Sequence, residues 1–78
     1  MEIKILINTI DKIKKFEEIV WNFQSDIDII KGHYIIDAKS TLGIFSLDTS
    51  DPVIVKINPS DRDELTLFEN KMEEFRVN

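Results

Sequence analysis

The sequence predicts an α+β fold: a four-stranded sheet with helices on one face, in the order βαββαβα. Three observations carry this reading. Four short apolar segments have the period or the length of strands. Two longer segments repeat apolar residues at i, i+3, i+7 and i+10, the stripe of a core-facing helix. These segments alternate through 78 residues with no linker, repeat or low-complexity stretch between them. Burying both stripes then requires one layer contact against the sheet.

Residues 2–8 alternate, with Ile3, Ile5 and Ile7 on one face, and read as the first strand. Asn8, Thr9 and Asp11 are each suited to cap the helix that follows. It runs to about residue 23, with Ile13, Phe16, Val20 and Phe23 as its stripe and Ile19 beside it. Ile27 and Ile29 alternate with Asp26 and Asp28 in a second strand. Lys31-Gly32-His33 is a turn, because Gly32 adopts positive φ at little cost. Residues 34–37 form the third strand. Ser40 caps a short helix reaching about residue 47, and residues 48–52 are a loop of turn formers. The continuous apolar run 53–57 suggests a central fourth strand, and Pro59 stops it. Asp61 with Glu64 three residues later resembles a capping box. The last helix carries Leu65, Phe68, Met72 and Phe75.

A chain of this size forms one domain, 1–78, and buries only about 60% of its unfolded surface, so its core must be regular. An apolar content of 42% suits a soluble core. No apolar run approaches the roughly 20 residues of a membrane span. The first residues alternate at once and lack signal-peptide architecture, and there is no cysteine. A cytoplasmic setting is the expectation. The net charge of −5 and the lack of a basic stripe argue against nucleic acid as a direct partner. There is no Gly-rich phosphate loop, no Ser-His-Asp set and no zinc spacing, so neither cofactor nor metal is expected. Asp48 and Asp51 are better explained by turn chemistry than by a cation.

Residues 25–47 carry a more specific signal. Two alternating strands meet at a tight turn, then Lys39-Ser40-Thr41-Leu42-Gly43-Ile44-Phe45-Ser46-Leu47 opens a short helix. This segment resembles the middle of HPr, the histidine-containing phosphocarrier of the bacterial phosphoenolpyruvate:sugar phosphotransferase system. There the pattern is Lys-Ser-aliphatic-aliphatic-Gly-aliphatic-aliphatic-Ser-Leu, and only Thr41 and Phe45 depart from it. The resemblance covers nearly the whole chain. It implies an HPr-like open-faced β-sandwich whose antiparallel sheet places the first and fourth strands side by side.

The resemblance also exposes an absence. The phosphocarriers join the first strand to the first helix with Gly-Leu-His-x-Arg-Pro, where the imidazole carries the phosphoryl group and the arginine pairs with its oxygens. Aligning Phe16 and Phe23 with family aromatics puts Thr9 at the histidine position, Asp11 at the arginine and Lys12 at the proline. A carboxylate at position 11 repels a phosphoryl group, so phosphotransfer through this loop is not expected. His33, the chain's one histidine, reads either as a displaced carrier or as a solvent-facing turn residue.

Ser40 matches the serine that a dedicated ATP-dependent kinase phosphorylates in many Gram-positive HPr proteins. Some paralogues lack the histidine, keep this serine and act in catabolite repression. Two readings of Ser40 stand side by side: a regulatory phosphorylation site, or a plain N-cap contributing roughly 1 kcal/mol. HPr proteins dock partners through the first two helices, which here offers Thr41, Leu42, Ile44 and Phe45 as an apolar patch with Lys39 at its rim. Trp21 lies about 130° from the stripe's centre at 100° per residue. It is either an exposed interface anchor or a lid over the stripe's margin.

The resemblance therefore implies a non-catalytic binding or regulatory protein related to the phosphotransferase system. Its expected partners are proteins, of that system or of transcription regulation. The alternatives are a phosphocarrier with an atypical acceptor and a pure protein-interaction domain on the same fold.

Overall fold

A computed structural model describes residues 1–59 and 61–78. The elements are β1 (Glu2–Ile5), α1 (Ile10–Val20), β2 (Ile27–Lys31), β3 (Tyr34–Asp37), α2 (Thr41–Phe45), β4 (Val53–Ile57) and α3 (Arg62–Met72), with a 3-10 turn at Glu73–Phe75. The sheet is antiparallel throughout, in the order β1-β4-β2-β3. β4 is central and adjoins β1, as expected.

Because strand residues alternate in direction, one face of the sheet carries Ile3, Ile5, Ile27, Ile29, Val53, Val55 and Ile57, all buried. The helices cover this face with Ile13, Phe16, Val20, Ile44, Phe68 and Met72. Two edge-to-face ring pairs lock the layer. Phe16 meets Phe75 at 6.0 Å between ring centres, and Phe23 meets Phe68 at 5.6 Å. On the opposite, open face the registers Lys4–Ile54, Ile54–Ile30 and Ile30–Ile35 line up one cross-strand row.

Several boundaries differ from the sequence reading, each for a local reason. β1 ends at Ile5, not residue 8. Its last partner is Val53, the first residue of β4. The chain then turns to its own C-terminal residues: Leu6 N–H donates to the Phe75 carbonyl at 2.9 Å, and Val77 N–H donates to that of Lys4 at 3.0 Å. Ile7 is still buried, though outside the strand.

α1 stops at Val20, three residues early. The N–H groups of Asn22 and Phe23 donate to Ile19 and Val20 carbonyls at 3.1 Å, the i→i+3 bonds of a tightening last turn. Asn22 Nδ2 satisfies the Glu18 carbonyl at 2.8 Å. Phe23 reaches the core from beyond the helix end. Of the three candidate caps, Thr9 takes the role, its Oγ1 accepting from Lys12 N–H at 3.1 Å.

The hairpin closes on two residues, since Lys31 pairs with Tyr34. Gly32 takes φ +59°, which favours glycine, while His33 stays at negative φ. Asp61 caps α3, its Oδ1 accepting from Glu64 N–H at 2.8 Å. The Glu64 carboxylate itself accepts from the Ser25 hydroxyl and from Gln24 N–H, tying the start of α3 to the connection before β2.

Candidate protein-docking site

Two helix ends bring the exposed aromatics together. Trp21 is the C-cap of α1, and its position just past the apolar stripe turns the indole outward, leaving it 61% exposed. The alternative, a lid folded over the core, does not occur. Phe45 closes α2 and is 49% exposed. Between them runs a groove of about 440 Å³ lined by Lys14, Glu17, Glu18, Trp21, Thr41 and Phe45. Thr41 Oγ1 donates to Glu17 Oε2 at 2.6 Å, fastening α2 to α1 across this groove. Leu42, on the outer side of α2, is 85% exposed.

Two of the residues expected on this surface lie elsewhere. Ile44 is fully buried and belongs to the core, not the patch. In so short a helix, Thr41, Leu42 and Phe45 take the outer directions, and Ile44 points down toward the sheet. Lys39 is half-buried rather than a free rim cation. Its Nζ donates to the carbonyls of Phe23 at 2.7 Å and Ser25 at 3.3 Å, stapling the start of α2 to the α1–β2 connection. The sequence reading missed the Thr41–Glu17 tie. No local signal marks it, because the two residues meet only when the helices pack.

Ser40 caps α2, its Oγ accepting from Gly43 N–H at 3.2 Å. Gly43 is required by close approach. A Cβ there would lie 2.5 Å from Ile36 Cγ2 and 3.0 Å from Ser40 Oγ. The missing side chain thus lets α2 settle on β3 and clears the space around the serine hydroxyl.

The loop between β1 and α1 holds Thr9 as a backbone cap, and Asp11 lies exposed in the first turn of α1. Lys12 Nζ is engaged by Asn8 Oδ1 at 3.3 Å, and Lys15 pairs with Glu74 at 3.0 Å. An acidic first turn complements the helix dipole. His33 sits exposed in the β2–β3 turn, lining a separate cleft of about 590 Å³ with Lys31, Tyr34, Ile36, Leu47 and Asp48. There Ser50 donates to the Asp48 carboxylate through both its hydroxyl and its N–H, and Lys31 lies alongside. Together these hold the carboxyl below its ordinary range. Among the described residues, no cluster of histidines, cysteines or carboxylates is arranged to hold a metal ion.

The helix layer on one side of an open antiparallel sheet, with a groove between the first two helices, defines an HPr-like fold. A crystal structure of HPr-C-His from Thermoanaerobacter tengcongensis superposes with a TM-score of 0.75, covering 95% of this chain and 92% of its own, at 23% identity. No family model and no curated protein matches the sequence. Among the described residues, no helix is long and apolar enough to cross a membrane.

Proposed function

We propose that this chain is a non-catalytic, HPr-like regulatory protein of the phosphotransferase-system type, docking a protein partner through the α1–α2 groove and switched at Ser40. The observation that carries the reading is the pairing of two exposed aromatics, Trp21 and Phe45, across one groove. Isolated exposed apolar residues need no explanation, but an exposed tryptophan facing a phenylalanine is the composition of an interface anchor. The residues at the phosphohistidine and arginine positions, Thr9 and Asp11, favour regulation over phosphotransfer.

Phosphorylation fits the local structure. A kinase transferring the γ-phosphoryl group of ATP to Ser40 Oγ, with release of ADP and the hydroxyl proton, adds about −1.5 to −2 charges at the start of α2. That charge stands next to Thr41 and the groove, where it changes which partner surfaces are tolerated.

Intact mass after incubation with ATP and an HPr serine kinase tests the switch, with Ser40→Ala as control. One added phosphate in the wild type alone supports it; none removes Ser40 from regulation. The docking surface is tested separately by Trp21→Ala and Phe45→Ala. Each should weaken partner binding at least tenfold, about 1.4 kcal/mol. A complex of undiminished affinity refutes the groove.

A further inference from the structure

The two edges of the sheet are treated differently. The β1 edge is covered, since Leu6 and Val77 N–H groups bond to Phe75 and Lys4 carbonyls and Ile5 bridges to Arg76. At the β3 edge, Ala38 N–H donates to the Ile27 carbonyl at 2.8 Å. By the alternation of an antiparallel ladder, Ile29–Ile36 and Lys31–Tyr34 are then the hydrogen-bonded pairs. The N–H and C=O of Ile35 and the N–H of Asp37 therefore point away from β2. Among the described residues no backbone group bonds to Ile35 from that side. Edges are normally blunted by lysine, proline or a bulge. Tyr34-Ile35-Ile36-Asp37 has neither lysine nor proline, and its register is unbroken.

We propose that β3 pairs antiparallel with β3 of a second copy of this chain, about a two-fold axis at Ile35, joining two four-stranded sheets into one. Three features select that occupant and that register. Ile35, 69% exposed on the open face, meets its own symmetry mate. The Ile54–Ile30–Ile35 row of each copy then continues into that of the other, covering apolar surface that each copy alone leaves in water. His33 falls opposite Asp37 of the second copy, twice by symmetry, so an imidazole N–H donor faces a carboxylate. A slip of two residues would instead set Asp37 against Ile35. With only four residues in each strand and like net charge on the two copies, the association is weak, with a Kd of roughly 100 µM.

The test is sedimentation equilibrium of the full chain from micromolar to millimolar concentration, combined with amide hydrogen exchange. The expected mass rises from 9.1 kDa toward twice that value, and the Ile35 and Asp37 amides become protected as it does. His33→Asp and Ile35→Lys, both at exposed positions and checked for folding by circular dichroism, should each weaken association at least tenfold. A chain still monomeric at millimolar concentration overturns the proposal and leaves the edge to an extended segment of another protein. Doubling of mass without protection of the Ile35 and Asp37 amides also overturns it, as does association of both variants at wild-type strength.

Discussion

Replacing Gly43 by alanine sets two well-separated effects against each other. Helix propensity favours the change by about 1 kcal/mol. The packing opposes it. The new Cβ would sit 2.5 Å from Ile36 Cγ2, where carbon atoms rest at about 3.5–4.0 Å, so roughly 1 Å of movement is required. Neither side yields readily. Ile36 is β-branched and stiff at χ1, and its backbone is held in the β2–β3 ladder. Overpacking of this kind costs about 1–3 kcal/mol. The 3.0 Å approach to Ser40 Oγ also loosens a cap worth about 1 kcal/mol. The expected net result is a loss of about 1–2 kcal/mol, read as a lower urea midpoint at unchanged m. A double-mutant cycle isolates the cause. In an Ile36→Ala background the methyl is gone and Gly43→Ala should be neutral or stabilising; Ile36→Val keeps a methyl there and should not rescue it. A Gly43→Ala protein at least as stable as the wild type would refute the reasoning.

Other outcomes follow from the same contacts. Ser40→Ala should lose about 1 kcal/mol of stability in urea, whereas Ser40→Asp should lose little, because a carboxylate also accepts the Gly43 N–H. Glu64→Ala removes the acceptor facing the buried Ser25 hydroxyl and Gln24 N–H. It should cost about 1.5–3 kcal/mol, and Glu64→Gln less. The Asp48 carboxyl should titrate below the ordinary aspartate value by NMR, and Ser50→Ala should move its midpoint upward. A folded-state value that is depressed stabilises the folded chain above the unfolded value, and that contribution disappears as pH falls through the folded one.

Which elements form was legible from local pattern. The helical stripes and the strand periods and lengths placed the four strands and the two longer helices, because burial of apolar side chains at a fixed period is a property of neighbouring residues; α2 was expected from its Ser40 cap and the resemblance. Thr9, Ser40 and Asp61 act as the caps that their residue types and positions suggested. Where elements end was less legible. β1 stops where its partner strand β4 begins at Val53, and α1 when Asn22 closes its last turn. Each boundary depends on a partner that short-range pattern does not specify.

The candidate site divides along the same line. Residue type alone singled out Trp21 and Phe45, but only packing decided that both remain in water and face one groove. Ile44 and Lys39 went the other way, one into the core and the other to two backbone carbonyls. A five-residue helix has too few residues to announce which face it buries.

By itself, then, the sequence determined the element order, the caps of α2 and α3 and the need for glycine in the hairpin. The tertiary structure decided the strand order, the covering of the β1 edge by C-terminal residues, the exposure of β3 and the tie between Thr41 and Glu17. Periodicity and capping are set within a few residues along the chain. Edges, grooves and distant hydrogen bonds exist only once segments far apart in sequence are packed together.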